Sequence, residues 1–145
     1  MPVDISSQYH QNHTAKVNRV VLSIIIPVYN ESLSLNAFLQ PLQSLRAQGC
    51  EIIVVDGGSS DDSMALALPW ADQVLCCEPG RARQMNCGAV EASGEWLLFL
   101  HADTQLPESV PLLLSSLTLH SCGWGFFPVV LSGHARLLRV VEWAI

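Results

Sequence analysis

The fold of this protein is decided by one stretch of its sequence, VVLSIIIPVYN, which runs from Val20 to Asn30. A run of mainly β-branched residues that ends in proline and asparagine is typical of a buried strand closed by a turn. A second run of this kind, CEIIVVDGGSS, begins at Cys50. The intervening segment spaces apolar residues at roughly helical intervals: Leu33, Phe38, Leu42 and Leu45. A helix is therefore predicted between the two strands, kinked or split at Pro41 and ended by Gly49.

The same alternation continues along the chain. The sequence predicts a short helix in SDDSMALALPW, a third strand in ADQVLCCEPG, a helix in RARQMNCGAVEASG and a fourth strand in EWLLFLHAD. It then predicts a helix in LPESVPLLLSSLTLH, a fifth strand in GWGFFPVVL and the start of a helix in HARLLRVVEWAI. Such short alternation indicates parallel βαβ units with helices on both faces of the sheet. Strands that are apolar throughout fit burial on both sides.

Composition indicates one globular domain. The chain has 145 residues, half of them apolar and 14% charged, which is enough for a hydrophobic core. Residues 1–19 are polar and aperiodic and are predicted to be a flexible leader, with the folded domain at 20–145. The net charge of −6 favours no nucleic-acid partner. Five cysteines without a CxxC pair predict reduced, mostly buried thiols in a cytoplasmic protein.

Polar residues follow all four of the first strands. The tips read PVYNE from Pro27, DGGSSDD from Asp56, EPGR ending at Arg81, and HADT from His101. Ligands bind at the carboxyl ends of parallel strands, so one crevice could hold all four tips. Each tip has a plainer interpretation, since Asp56 could form a tight turn and Asp61 could cap a helix. Their coincidence at four successive strand ends favours a binding site.

Two of the tips indicate the kind of ligand. Arg81 and Arg83 open a helix, where unpaired N–H groups already favour anions and guanidinium groups add bidentate contacts to phosphate. Asp103 could hold a divalent cation beside a bound diphosphate, or act as an N-cap before Pro107. His101 fits a phosphate hydrogen-bond donor or a packed strand-end histidine better than a metal ligand. No Walker A loop, GxGxxG fingerprint, GxSxG elbow or HExxH motif is present.

Three ordered motifs resemble those of the family-2 glycosyltransferases, which have a GT-A fold. They are LSIIIPVYNES, EIIVVDGGSSDDS and GRARQMNCGAVEASGEWLLFLHADTQLP, and the likeness runs from Val20 to about Ile145. It is closest to the subgroup labelled as radical-SAM/selenodomain-associated transferases. The resemblance implies a Rossmann-like, mostly parallel sheet and a transferase that binds a nucleotide-diphosphate sugar.

The resemblance also implies where the nucleotide would bind. By likeness, Pro27, Tyr29 and Glu31 would line the nucleoside pocket. Asp56 would face the base, and the region of Asp61 would close that side.

The sugar-diphosphate and the metal are implied in the same way. By likeness, Arg81 and Asn86 would lie along the sugar-diphosphate. The His101-Ala102-Asp103 triplet stands at the family's DxD position, so Asp103 would contact Mg²⁺ or Mn²⁺. His101 replaces the first aspartate of that motif, a form common in the subgroup.

The resemblance leaves the acceptor side open. In the family, the catalytic base and the acceptor region come from a C-terminal part, and this chain stops at Ile145. The chain is therefore predicted to hold the donor half, with an acceptor of the lipid or polysaccharide kind that the family often uses. Its apolar end, LLRVVEWAI, favours self-association or peripheral contact with a membrane.

Two other functions remain open. The chain could be a catalytically inactive truncated fragment that only binds nucleotide or oligomerises. It could also be a sugar-1-phosphate nucleotidyltransferase, which ranks lower. A Gly-rich loop with Arg or Lys should follow the first strand of such an enzyme, and PVYNES stands there instead.

Overall fold

The computed structural model describes residues 20–107 and 109–110, in which four strands alternate with three helices. The elements are β1 (Leu22–Val28), α1 (Leu35–Ala47), β2 (Glu51–Asp56), α2 (Ser63–Ala67), β3 (Gln73–Cys76), α3 (Arg81–Glu91) and β4 (Trp96–Phe99). Every strand and helix predicted up to β4 is present. The helix predicted next lies mostly outside the described residues. The predicted leader, fifth strand and final helix lie wholly outside them.

The four strands form one parallel sheet in the order β3-β2-β1-β4. From β1 the chain adds β2 and β3 on one side, then crosses over to place β4 on the other side of β1. The direction of sheet growth thus reverses between β1 and β4. In open α/β sheets, ligand crevices form at such a switch point, outside the carboxyl ends of the strands.

Helices cover both faces of the sheet, as predicted. The larger core lies on the face of α1 and α2, where side chains such as Ile24, Ile26 and Val54 are completely buried. On the other face, Ile25, Ile53 and Val55 form a smaller cluster with residues of α3. The strands β1 and β2 are buried along their whole length, which confirms the interpretation of their apolar runs.

Helix α1 differs from its prediction in its buried stripe. Its buried stripe is Leu35, Leu39, Leu42 and Leu45, because Leu33 precedes the helix and is fully exposed. The helix is not split at Pro41. Pro41 and Ala37, whose carbonyl loses its helical hydrogen bond, are both exposed, so water can satisfy that carbonyl. The helix ends at Ala47, two residues before Gly49.

Pro27 explains why the sheet opens between β1 and β4. Leu100 N–H donates to Ile25 C=O, whereas Gly57 N–H donates to Val28 C=O, so odd-numbered residues of β1 face β4. Two residues beyond Ile25, Pro27 has no N–H to offer to that side. The pairing of β1 with β4 ends at Ile25, while its pairing with β2 continues to Val28. The two strands are therefore free to separate at their carboxyl ends.

Most of the described cysteines are not buried as expected. All four cysteines among the described residues are free, and Cys50 alone of these is buried. Cys76, Cys77 and Cys87 lie at the end of β3 and on α3, where they are partly or fully exposed. Of these two elements, β3 lies at the edge of the described sheet.

The buried carboxylate of Glu51 links three strands at the amino-terminal edge of the sheet, opposite the edge at which β1 and β4 separate. Glu51 Oε2 accepts hydrogen bonds from Ser23 Oγ at 2.5 Å and from Ser93 N–H at 2.9 Å, and its Oε1 accepts one from Gln73 Nε2 at 3.2 Å. Burial raises the pKa of Glu51, but these hydrogen bonds together outweigh it and leave the pKa below its ordinary value. Three strands and the end of α3 thus meet at one ionised group.

We expect Glu51→Gln to lower the free energy of unfolding by about 1–3 kcal/mol at pH 7. The folded pKa lies below that of the unfolded chain, about 4.3. The charged network therefore stabilises the fold above that value and loses its effect as pH falls through the folded pKa. Urea unfolding at pH 7 and at pH 3.5 should show the difference from wild type shrinking at acid pH. Glu91→Gln, at an exposed site, should change little, and an equal deficit for Glu51→Gln at both pH values would contradict the assignment.

Candidate functional site

A cleft of about 300 Å³ lies at the carboxyl edge of the sheet, where β1 and β4 separate. Its lining comes from the end of β1, from the loop and first turn that open α3, and from the segment after β4. The cleft therefore stands at the switch point of the topology. It brings together three of the four strand tips in which the sequence predicted a site.

Six of the nine predicted site residues line this cleft. They are Pro27, Tyr29, Glu31, Arg81, His101 and Asp103. Asp56, Asp61 and Asn86 are outside its lining. Asn86 is exposed on α3. Asp56 is the last residue of β2 and Asp61 lies in the loop that follows it, and this loop supports the loop after β1.

The cationic side of the cleft is formed by Arg81. Arg83, one position from it in the same turn, is paired with Glu78 at 2.9 Å. Arg81 has no ion-pair or hydrogen-bond partner within residues 20–107, and it lines the cleft as the first residue of α3. The N-cap is Gly80, which has no side chain to cap the helix. A guanidinium and uncapped helix N–H groups are thus available to an anion from solvent.

The segment after β4 contributes the acidic group. Asp103 is exposed, and its Oδ1 accepts a hydrogen bond from Thr104 Oγ1 at 3.2 Å. His101 is half-buried and its carbonyl accepts from Thr104 N–H, which turns the chain. The described part of the chain contains no group of three His, Cys, Asp or Glu side chains that could hold a metal ion alone.

Two loops are joined by hydrogen bonds behind Tyr29. Asn30 has a positive φ of 54°, a conformation that asparagine tolerates. Its N–H donates to Ser59 Oγ at 2.8 Å, and its Oδ1 accepts from Ser60 N–H at 2.8 Å. The loop after β2 is shaped by Asp56, which is 1% exposed and whose carboxylate accepts hydrogen bonds from Ser59 N–H.

Asp61 completes this connection. Its carboxylate accepts from Ser32 N–H at 3.0 Å and from both the N–H and the hydroxyl of Ser63, and Ser63 Oγ accepts from Glu31 N–H. The hydrogen bond from the Ser63 hydroxyl and those from Ser32 outweigh burial and hold the pKa of Asp61 well below its ordinary value. Asp62, the residue at the N-cap of α2, makes no capping hydrogen bond with its side chain. The loop after β1, which carries Tyr29 and Glu31, is therefore held from behind.

Sequence reasoning missed one polar residue of the cleft. Gln84 is 3% exposed and lines the cleft from α3. A glutamine in a polar helix reads as a solvated residue, and nothing in its spacing indicates burial. Pro79, Gly80 and Ala102 also line the cleft. They adjoin predicted residues and are found once the strand tips are known.

A larger hollow of about 670 Å³ lies between α1 and the segment formed by residues 102–107 and Val110. Its lining is mainly apolar, with Phe38, Leu42 and Leu45 on the helix side and Asp103 as its one charged group among the described residues. It therefore lacks the cationic groups that a phosphorylated ligand requires. The smaller cleft is the better candidate for chemistry.

Solved structures place the fold in a known class. Glucosyl-3-phosphoglycerate synthase from Mycobacterium tuberculosis, in complex with Mn²⁺, UDP and glucosyl-3-phosphoglycerate, matches with a TM-score of 0.57 and 24% identity over 69% of this chain and 40% of that one. The mannosyltransferase PcManGT from Pyrobaculum calidifontis, in complex with GDP-Man and Mn²⁺, matches with a TM-score of 0.57 and 24% identity over 71% of this chain and 33% of that one. The fold is the GT-A fold, as predicted.

The chain belongs to glycosyl transferase family 2, whose family model matches residues 23–121. One relative is the undecaprenyl-phosphate 4-deoxy-4-formamido-L-arabinose transferase of Yersinia enterocolitica, 34% identical over 116 residues, or 72% of this chain and 35% of the relative. Another is a PGL/p-HBAD biosynthesis glycosyltransferase of Mycobacterium tuberculosis, 34% identical over 96 residues, or 61% of this chain and 38% of the relative. The chain thus spans about a third of the length of these relatives. Among the described residues, no helix is both long enough and apolar enough to cross a membrane.

We expect Asp61→Ala to release the loop after β1 while leaving the sheet intact. Native-state hydrogen exchange at the amides of Ser32 and Ser63 should accelerate by about tenfold or more, because both lose their acceptor. Amides of the buried strands should keep their protection. Asp62→Ala is the matched control, since that neighbouring carboxylate makes no capping bond. Equal exchange in the two variants would show that Asp61 does not hold the loop.

Proposed function

We propose that this domain binds the donor of a glycosyl transfer, a nucleotide-diphosphate sugar, together with a divalent metal. The whole protein would then transfer the sugar to an acceptor. One observation carries the proposal: Arg81 and Asp103, from two different elements, line the same cleft at the switch point of the sheet. A cation and a carboxylate on one cleft suit a diphosphate and a metal ion bound side by side.

The diphosphate would bind at the start of α3. Arg81 supplies a charged donor, and the uncapped N–H groups of the helix add to it at the positive end of its dipole. His101, on the opposite segment of the lining, would donate to a phosphate oxygen. Arg83 would contribute little, because Glu78 already neutralises it.

The nucleoside would bind beside the loop after β1. Tyr29 is 56% exposed at the cleft and offers an aromatic face against which a base can stack. Pro27 and Glu31 would form the rest of this wall. Asp56 and Asp61 would act on the base side through the loop that they hold in place. Asn86 stays a proposal for the sugar side.

The metal would be held by Asp103 and by the ligand itself. Mg²⁺ and Mn²⁺ accept one carboxylate together with phosphate oxygens and water, and an exposed Asp103 fits that donor set. The ion would neutralise charge on the departing diphosphate. On this proposal the ion binds together with the nucleotide, whose phosphate oxygens complete the donor set.

For the acceptor, we propose only a chemical class, a lipid phosphate. One relative is an undecaprenyl-phosphate transferase, which supports a lipid-phosphate acceptor and hence contact with a membrane surface. The protein would make that contact from the cytoplasm. The His101-Ala102-Asp103 triplet supports membership in the radical-SAM/selenodomain-associated subgroup. We assign no general base, since that group must come within about 3 Å of the acceptor and Asp103 serves the metal.

We expect UDP- or GDP-sugars to raise the melting temperature by about 5 °C or more at saturating ligand, and only with Mn²⁺ or Mg²⁺ present. Asp103→Asn should abolish the metal-dependent part, whereas Asp62→Asn, an exposed carboxylate outside the cleft, should keep it. Thermal shift with nucleotide, metal and both together measures this. Stabilisation by the metal alone would contradict ligand-assisted binding, and no shift with any nucleotide would favour the inert fragment.

We expect Arg81→Ala to weaken binding of the nucleotide-diphosphate by about tenfold or more, because a charge-assisted contact to phosphate is lost. Arg83→Ala is the matched control: it removes the same charge from the same helical turn, but from a side chain paired with Glu78. Calorimetric titration of UDP with Mn²⁺ compares the two variants. Equal losses would mean that general charge, and not contact by Arg81, accounts for affinity.

A further inference from the structure

Helix α3 packs against the sheet through a glutamine and a glycine. Its two fully buried residues are Gln84 and Gly88, which are four apart and so lie on one face of the helix. A Cβ at Gly88 would stand 2.5 Å from Ile25 Cγ2 and 3.0 Å from Val55 Cγ2. The helix backbone therefore contacts the sheet directly. No large apolar side chain fixes the height or rotation of its first turn.

The Gln84 amide supplies that fixed point. Its Nε2 donates to Val28 C=O at 2.9 Å and to Val55 C=O at 2.8 Å. A primary amide has two N–H donors, so both are used, and the orientation of the group is determined. The two acceptors lie at the carboxyl ends of β1 and β2, directly below the cleft.

Gly57, the first residue after β2, lies close against the same amide. A Cβ at Gly57 would lie 3.0 Å from both Cδ and Oε1 of Gln84. Gly57 N–H also donates to Val28 C=O at 2.9 Å, so the glycine and the glutamine share an acceptor. Three elements thus meet at one side chain: the two strand ends and the helix that begins with Arg81.

We propose that Gln84 is a positioning residue of the donor site. By joining the first turn of α3 to the ends of β1 and β2, it keeps the Arg81 guanidinium and the helix N–H groups directed at the bound diphosphate. This inference rests on the proposed function, because it assumes that the cleft binds a nucleotide-diphosphate. It adds a residue that makes its contribution from beneath the ligand.

The chain contains a matched control for the chemistry of this residue. Gln43 on α1 also donates its Nε2 to two backbone carbonyls, those of Leu39 at 3.2 Å and Trp70 at 2.9 Å. It lies outside the lining of the cleft. Gln43→Met and Gln84→Met therefore each remove two hydrogen bonds that a side-chain amide donates to backbone carbonyls. Gln43→Met also removes the acceptor of Arg46 Nη1 at 3.4 Å, so it is the harsher change of the two. Gln43 lies away from the cleft, and Gln84 lies beneath it.

The test makes two measurements on each variant. One is the melting temperature, and the other is the dissociation constant of UDP in the presence of Mn²⁺, taken at a temperature well below the melting temperature. We expect Gln84→Met to weaken binding about tenfold, and Gln43→Met to lower the melting temperature while keeping the affinity of wild type. Exchange at the Gln84 backbone amide, which bonds Gly80 C=O at 2.9 Å, should accelerate in Gln84→Met alone. Unchanged affinity in Gln84→Met, or equal losses in both variants, would overturn the proposal.

A second variant leaves Gln84 in place. Gly57→Ala forces the amide to shift, and should weaken UDP binding in the same direction even if Gln84→Met does not fold. Wild-type affinity in Gly57→Ala, with its amide displaced, would overturn the positioning role. Failure of wild type itself to bind any nucleotide would instead overturn the proposed function and this inference with it.

Discussion

The hydrogen-bonding requirement of β1 is the constraint on which the structure depends. This strand is buried along its whole length, so its backbone groups need partners on both sides. The strands β2 and β4 provide them, and the pairing with β4 stops where Pro27 can no longer donate. A proline placed near the end of the central strand thus separates two strands that would otherwise continue side by side. The cleft exists because that pairing ends there.

The four strand tips have different tasks around this opening. Those of β1 and β4, with the start of α3, line the cleft, whereas the tip of β2 lies behind it. The carboxylate of Asp56 accepts from Ser59 N–H and shapes the loop after β2, and the carboxylate of Asp61 accepts from Ser32 N–H in the loop after β1. Carboxylates used in this way hold the loop of Tyr29 and Glu31 before any ligand arrives. A site that is ordered in advance loses less conformational entropy on binding.

Much of this could be predicted from the sequence, for a physical reason. The β-branched runs of β1 and β2 are buried on both faces, so composition alone indicates parallel strands. Because parallel strands all end at the same edge of a sheet, their polar tips are expected there, and six of the nine predicted residues line the cleft at that edge. The motifs predicted the family, which the match over residues 23–121 confirms.

What could not be predicted depends on contacts between distant segments. The burial of Gln84 depends on carbonyls 56 and 29 positions away along the chain, and no local pattern encodes it. The connection of Asn30 to Ser59 and Ser60 likewise joins residues about 30 apart. Leu33 fits the helical spacing of apolar residues but lies outside the helix, which begins two residues after it. The spacing of apolar residues indicates a helix, but which of them are buried also depends on the residue at which the helix begins.

The Glu51 network has a consequence for how such a domain can diversify. It ties Ser23, Gln73 and Ser93 together at the amino edge, one full strand length away from the cleft. The hydrogen bonds that hold the strands together and the residues that line the cleft thus lie at opposite edges of the same sheet. Tyr29 and its neighbours can be exchanged for other side chains without disturbing the hydrogen bonds of Glu51. A laboratory selection for new ligands should therefore randomise the residues at the carboxyl edge and keep those around Glu51 constant.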